Sequence, residues 1–165
     1  MRIILIGPMG SGKSSIGKML ARKMDFKFID TDKLIETQEG IKIKEIFNSK
    51  GESYFRDLEV KVLKKTLTSQ SAVIATGGGI VQRKKNRLLL ENEKNVFFLN
   101  SSVKRQFERT KGSDKRPLLN KGDNFKTLGE LYKKRLPHYE NISRYKIEMD
   151  DKTNEDIVEQ IIKNI

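Results

Sequence analysis

The octapeptide GPMGSGKS at residues 7–14 constrains the fold of this chain more than any other stretch. It matches the phosphate-binding pattern G-x-x-x-x-G-K-[ST]. The apolar run at residues 3–6 before it is typical of a buried strand, and Ile16, Met19 and Leu20 after it have helical spacing. A glycine-rich turn between a strand and a helix lets backbone amides surround phosphate oxygens at the positive end of the helix. The sequence therefore predicts a nucleoside triphosphate site.

The side chains of this loop have separate tasks in binding ATP. Lys13 is long enough to reach the outer phosphates, and the Ser14 hydroxyl can hold Mg²⁺. The glycines let the main chain approach the phosphates closely. The residues expected to bind ATP here are Gly10, Ser11, Gly12, Lys13, Ser14 and Ser15.

Composition limits the class of protein. A chain of 165 residues can bury a sizeable core, and we expect one domain spanning residues 1–165. The absence of cysteine excludes disulfides, thiolate zinc sites and a cysteine nucleophile. No apolar run approaches the length of a membrane span, and the run at residues 3–6 leads directly into the phosphate loop, unlike a signal peptide. We therefore expect a cytoplasmic protein with no membrane partner.

The formal net charge of +12 has two interpretations. Clustered lysines and arginines bind the phosphates of nucleic acids, whereas a generally basic surface steers anionic substrates toward a site. The lysines of this chain are scattered singly or in pairs, and no aromatic residues for base stacking alternate with them. We favour the second interpretation and expect no nucleic-acid partner.

Five short apolar runs alternate with segments of helical periodicity. This alternation predicts an α/β fold of the P-loop kinase type, with a five-stranded parallel sheet flanked by helices. Two segments exceed what this plan needs: a helical insertion at about residues 32–67, expected to bind the substrate, and a polar stretch at about residues 111–124, expected to form a mobile lid. The apolar runs lie at residues 3–6, 26–29, 72–75, 96–99 and 145–149.

Ligands of open α/β sheets bind beyond the carboxyl ends of the strands, so the residues after each apolar run are candidates. Asp30 and Asp32 follow the second run, and no acidic residue follows the third. Asp30 is therefore the best candidate for a metal-holding carboxylate, and Asp32 can accept a proton from an attacking hydroxyl. Helix capping is the alternative for both. Gly77, Gly78 and Gly79 follow the third run, and close approach of a ligand to bare backbone explains them better than a plain turn.

Two arginines lie on the apolar faces of predicted helices. Arg56 falls in the apolar stripe of segment 52–67, with Glu59 about 60° away around the helix. Arg135 shares a second stripe with leucine and tyrosine residues, and Pro137 is expected to end that helix nearby. Because a buried unpaired charge is costly, Glu59 would orient Arg56, and the two arginines together suggest a site for a small carboxylate. A purely structural ion pair is the alternative.

These motifs together resemble the shikimate kinase family, and the resemblance covers nearly the whole chain. The phosphate loop is shared by many kinases, but the conjunction of the other motifs in this order is specific. The motifs are GPMGSGKS at residues 7–14, Asp30-Thr31-Asp32, Gly51-Glu52 with Phe55-Arg56 and Glu59, the glycines at 77–79, Arg116-Pro117-Leu118-Leu119, and Arg135 before Pro137 and Tyr139.

The resemblance implies how the acceptor substrate is held. Arg56 and Arg135 would bind the carboxylate of shikimate, with Glu59 supporting Arg56. Asp32 would bind ring hydroxyls and orient or deprotonate the 3-hydroxyl. The backbone of residues 77–79 would border the substrate.

The family resemblance also implies how the nucleotide is held. Ser14 and Asp30 would hold Mg²⁺, while Lys13 and Arg116 would stabilise charge on the γ-phosphoryl group. Arg116 lies inside the expected lid, and by its position alone an ordinary loop cation is the alternative.

The adenine contacts follow a softer pattern. Arg109 matches the family position that stacks on adenine, and Arg105, one helical turn earlier, is the alternative. The region of Thr153 and Asn154 on the other side of the expected adenine pocket follows no sharp pattern.

The activity implied is in-line transfer of the γ-phosphoryl group of MgATP to the 3-hydroxyl of shikimate, in aromatic amino-acid biosynthesis. Positioning and charge neutralisation would supply most of the rate. A gluconate or nucleoside monophosphate kinase is one alternative, although its acceptor would not require both Arg56 and Arg135. A nucleic-acid-associated NTPase or a regulatory nucleotide-binding module is the alternative from another class. We expect a monomer.

Overall fold

The structure, a computed structural model, describes residues 1–111 and 123–165. Five parallel strands form one sheet in the order β2-β3-β1-β4-β5. The strands are β1 (Arg2–Ile6), β2 (Lys27–Asp30), β3 (Ala72–Ala75), β4 (Val96–Asn100) and β5 (Tyr145–Glu148). The helices of the described ranges are α1 (Lys13–Met24), α2 (Thr31–Glu39), α3 (Ile43–Thr66), α4 (Lys84–Glu91), α5 (Val103–Thr110), α6 (Asn124–Ile142) and α7 (Asn154–Ile162).

The predicted five-stranded parallel sheet is confirmed, and each strand end lies within one residue of the apolar run that predicted it. The central strands read as unbroken apolar runs because helices cover both of their faces. On one face, Ile3 and Leu5 contact α1 and α7. On the other, Ile4 and Ile6 lie in a cluster with Leu63 of α3 and residues of α4 and α6.

Helices α2 and α3 occupy the expected insertion between β2 and β3. A separate apolar cluster holds them together, with Ile35 of α2 packed among Ile46, Phe55 and Val62 of α3. Helix α3 is kinked at Gly51, where φ is 82° and ψ is 167°. The part that carries Arg56 begins directly after this kink. Most of the expected lid, residues 112–122, lies outside the described ranges.

The expectation that Pro137 ends its helix is wrong. Helix α6 continues through Pro137 to Ile142. A proline inside a helix removes one hydrogen bond and costs about 3 kcal/mol. Contacts on both sides of it offset this cost, because Arg135 and Tyr139 both donate to the Gly78 carbonyl. The exposed Pro137 ring lies on the other face of α6, toward solvent.

Parallel register brings the loops that follow β1, β2 and β3 to the same edge of the sheet. The phosphate-binding pattern follows β1, the Asp30–Asp32 motif spans the junction of β2 and α2, and the glycine triplet follows β3. No helix in the described ranges is both long and apolar enough to cross a membrane.

The packing of α1 against β2 generates a stability prediction. A Cβ on Gly17 would lie 2.6 Å from Phe28 Cε2, whereas a Cβ on Gly129 of α6 would have no neighbour within 4 Å. Gly17→Ala should therefore destabilise the protein by about 1–3 kcal/mol through overpacking. Gly129→Ala, the matched control, should be neutral or stabilise it by up to about 1 kcal/mol. Denaturant unfolding of both variants measures this, and equal effects at the two positions would contradict the packing described.

Candidate active site

The phosphate loop has the backbone that its glycines predict. Gly7, Gly10 and Gly12 adopt φ values of 142°, 77° and 92°, which other residues rarely reach. Gly12 is the N-cap of α1, so the loop ends at the positive end of that helix. The Ser11 amide donates to the Pro8 carbonyl at 3.3 Å, which closes the turn. The loop can therefore present successive backbone amides to a phosphate group.

Lys13 lies across this loop and is nearly buried. Its Nζ donates to the Gly7 carbonyl at 2.8 Å, to the Pro8 carbonyl at 2.7 Å and to Ser11 Oγ at 3.2 Å. These oxygens keep the positive charge at the mouth of the loop, where the outer phosphates of a nucleotide would lie.

Asp30 caps a helix and also faces the phosphate loop. Its Oδ1 accepts from the amides of Asp32 and Lys33 at 3.1 and 3.2 Å, which caps α2. Its Oδ2 accepts from Ser14 Oγ at 2.6 Å. The capping interpretation of Asp30 is therefore confirmed for one carboxylate oxygen, and the other oxygen contacts Ser14, the second residue predicted to hold Mg²⁺.

A hydroxyl and a carboxylate next to a triphosphate site fit Mg²⁺. This ion is usually held by one or two protein oxygens together with substrate phosphates and waters, without a cage of side chains. Residues 1–111 and 123–165 contain no group of three or more His, Cys, Asp or Glu side chains suited to a metal.

A cavity of about 400 Å³ joins the phosphate loop to the ends of β2 and β3. Asp32, in the first turn of α2, lines this cavity together with residues of the phosphate loop. The lining residues are Met9, Gly10, Gly12, Lys13, Ser14, Ser15, Asp30, Asp32, Thr76, Gly78, Arg109 and Asn154.

Arg56 is buried on α3, with only 5% of its surface exposed, and it pairs with two carboxylates. Its Nη1 donates to Glu59 Oε2 at 2.6 Å, and its Nε and Nη2 donate to Glu52 Oε1 at 3.2 and 3.0 Å. Burial alone would lower the pKa of Arg56, but the charges and hydrogen bonds of Glu59 and Glu52 outweigh it and raise that pKa. The guanidinium stays charged and fixed in orientation.

Arg135 is buried on α6, with 3% exposure. Its Nη1 donates to the Gly78 carbonyl at 3.2 Å, and Tyr139 OH donates to the same carbonyl. Burial lowers the pKa of Arg135, and the charge of nearby Arg56 lowers it further. Burial raises the pKa of Tyr139 to about 12, so this phenol remains a neutral donor. Arg135 Nε has no hydrogen-bond partner among the described residues.

The glycine triplet lies between these side chains, which leave no room for a Cβ at either end. A Cβ at Gly77 would clash with Asp32 Oδ1, and one at Gly79 would clash with the Arg56 guanidinium. A Cβ at Gly78 would lie 3.0 Å from the backbone nitrogen of Met9 in the phosphate loop. Asp32, Arg56 and the backbone of Met9 are therefore packed closely against the bare backbone of the triplet.

The structure separates the two arginines of α5. Arg109 lies against the phosphate loop, since a Cβ on Gly12 would come within 2.6 Å of its Nη1. Arg105 donates to the Met149 carbonyl and lies near Asp150, away from the cavity lining. Of the two, Arg109 is the one placed to contact a nucleotide. Arg116, expected to act on the γ-phosphoryl group, lies outside the described residues.

Two further side chains belong to this region and carried no clear sequence signal. Asn154, the first residue of α7, lines the cavity near Arg109. Gln82 follows the glycine triplet, and its carboxamide lies between Arg56 and Arg135. Neither residue belongs to a recognisable motif, although both follow strand ends, where ligands of such sheets bind.

Known proteins are similar to this chain in sequence and in fold. The sequence model of the shikimate kinase family matches residues 9–165. The shikimate kinase of Persephonella marina is 44% identical over 163 residues, which cover 99% of this chain and 98% of that protein. Among solved structures, shikimate kinase from Acinetobacter baumannii in complex with shikimate has a TM-score of 0.96 at 35% identity, covering 99% of this chain and 91% of that one.

A more distant structure shares the fold alone. Deoxyadenosine kinase from M. mycoides with bound dATP has a TM-score of 0.62 at 15% identity, covering 99% of this chain and 98% of that one. At this identity the likeness concerns the fold only. The family model and the full-length relatives are more specific, and by them the chain belongs to the shikimate kinase family.

Proposed function

We propose that this chain transfers the γ-phosphoryl group of MgATP to the 3-hydroxyl of shikimate, giving shikimate 3-phosphate and ADP for aromatic amino-acid synthesis. As a member of its family it is an ATP-dependent kinase that acts on a hydroxyl of shikimate. One observation supports the assignment most. Two buried arginines lie within hydrogen-bond distance of the Gln82 carboxamide, and Arg135 also contacts Gly78, which is packed against the phosphate loop.

The carboxylate of shikimate would bind between Arg56 and Arg135. Arg56 is held in orientation by Glu59, which leaves Arg135 as the buried cation with an unused donor at Nε. A planar guanidinium binds a carboxylate through directed, charge-assisted hydrogen bonds. Because both arginines are shielded from water, such bonds are stronger than they would be at the surface.

The acceptor hydroxyl would then lie at Asp32, with Gly77, Gly78 and Gly79 bordering the ring. Asp32 lines the cavity shared with Lys13 and is packed against the glycine triplet. A carboxylate there can accept the hydroxyl proton as the bond to phosphorus forms. Asp32 is thus proposed to orient the hydroxyl and take its proton.

The triphosphate would occupy the loop at residues 10–15, with its outer phosphates near Lys13. Arg109 would contact the adenine, and Arg116 would approach the transferring group from the segment beyond α5. Both Lys13 and Arg116 would stabilise negative charge on the γ-phosphoryl group as it moves. Closure of residues 111–124 as a lid over the substrates remains part of the proposal.

Ser14 and Asp30 are proposed to hold Mg²⁺. When bound, this ion neutralises charge on the phosphates and helps to align them. Asp30 would contribute the oxygen that now accepts from Ser14 Oγ, while its other oxygen continues to cap α2. We also propose that the protein acts as a single-domain monomer in the cytoplasm, without nucleic-acid or membrane partners.

Release of ADP in a coupled assay tests the proposed function. With MgATP present, shikimate should stimulate turnover strongly, because its carboxylate would bind the arginines while its ring holds a hydroxyl at Asp32. Gluconate and CMP serve as control acceptors. Stimulation by either control in place of shikimate would assign another small-molecule kinase, and ATP turnover that ignores all three acceptors would favour the nucleic-acid-associated alternative.

Removal of one buried arginine tests the carboxylate site. Arg56→Ala should weaken shikimate binding by roughly 2–4 kcal/mol, the scale for breaking a buried charge pair, while ATP binding changes little. Arg22→Ala, at an exposed position of α1, is the matched control. Titration calorimetry measures both. An unchanged dissociation constant for shikimate in Arg56→Ala would mean that this pair is purely structural.

A further inference from the structure

Gln82 bridges the two buried arginines through one atom. Guanidinium groups only donate hydrogen bonds, so the carboxamide satisfies them by facing its oxygen toward them. In that orientation the oxygen accepts from Arg56 Nη2 at 3.0 Å and from Arg135 Nη2 at 2.6 Å. A single neutral oxygen therefore links a cation of α3 to a cation of α6.

The backbone of Gln82 is itself held in place. Its amide donates to the Gly79 carbonyl at 3.0 Å, which makes Gln82 part of the turn that contains the glycine triplet. Its carbonyl accepts from Arg87 Nη1 at 3.0 Å, and the same nitrogen donates to the Val81 carbonyl at 2.7 Å. Gln82 thus approaches both arginines from a third, fixed element.

The charges around the two arginines differ. Arg56 pairs with Glu52 and Glu59, whereas the hydrogen-bond acceptors of Arg135 within the described ranges are neutral oxygens of Gly78 and Gln82. Two guanidinium groups this close repel each other, and burial strengthens the repulsion. A bridging carboxylate would relieve it but would also compete with an anionic ligand. A carboxamide relieves the repulsion locally and leaves the positive charge available.

We propose that Gln82 is a positioning residue for the acceptor carboxylate, holding Arg56 and Arg135 at a fixed spacing before the substrate arrives. This inference rests on the proposed function, in which those arginines bind shikimate. Preorganisation of this kind lowers the cost of ordering the site on binding. Its effect should therefore fall on shikimate affinity, and neither ATP affinity nor the chemical step should change to the same extent.

Two substitutions of nearly the same size separate the role of the acceptor from that of the charge. Gln82→Met keeps the length and volume but removes the bridging oxygen, so the KM and the calorimetric Kd for shikimate should rise about tenfold. The kcat at saturating shikimate and the KM for ATP should each stay within about threefold of the wild type. Gln82→Glu keeps the oxygen but adds a negative charge, and shikimate binding should weaken further than in Gln82→Met.

Gln38→Met, at an exposed position of α2, is the matched control and should behave as the wild type. Thermal unfolding of each variant checks that the fold is retained. A shikimate Kd within twofold of the wild type in Gln82→Met would overturn the inference. Tighter shikimate binding in Gln82→Met would also overturn it, because Gln82 would then occupy the carboxylate site. A rise in the KM for ATP as large as that for shikimate, together with a lower melting temperature, would overturn it as well, because the substitution would then disturb the whole fold.

The wild-type assay separates this inference from the proposed function. Absence of shikimate-stimulated turnover in the wild type would remove the proposed function and the inference with it. Normal wild-type turnover together with an unaffected Gln82→Met variant would overturn the inference alone.

Discussion

Two arginine side chains kept out of water at one edge of the sheet determine much of the surrounding structure. Removing a guanidinium group from water costs several kcal/mol unless nearby groups compensate for it. Glu59 and Glu52 do so for Arg56, and the Phe55 ring centroid lies 5.2 Å from its Cζ. For Arg135 the hydrogen bonds go to neutral oxygens of Gly78 and Gln82, and the charge of nearby Glu59 adds to them. A site arranged in this way is stable without a ligand and still attracts an anion.

The parallel sheet brings this arginine pair close to the phosphate loop. Strands β1 and β3 are adjacent, so the phosphate loop after β1 lies against the glycine triplet after β3. Strand β2 lies on the other side of β3, which places Asp32 next to Gly77. The helix α3 that carries Arg56 follows β2 through α2. In the proposed function, the distance between the acceptor and the γ-phosphoryl group would therefore be set by the spacing of strands, which is nearly fixed in proteins.

The features that followed from the sequence are those fixed by local chemistry. The apolar runs predicted the positions of the strands, because a strand buried on both faces tolerates few polar residues. The position of Arg56 and of Arg135 in an apolar helical stripe predicted that both point inward. Both are buried in the structure. The continuation of α6 through Pro137 could not be foreseen, because contacts made by Arg135 and Tyr139 far along the chain offset a local penalty. Gln82 was missed for a similar reason, since its partners lie on two other elements. The roles of the site residues remain predictions, as does the lid.

The account depends on recognition of a carboxylate by buried arginines. Titration calorimetry of the wild-type protein with shikimate and with its methyl ester measures this recognition directly, since the two ligands share the ring and all three hydroxyls. The account predicts that the ester binds roughly thirtyfold more weakly or worse, because the buried cations lose their anionic partner. Equal affinity for the acid and the ester would contradict it.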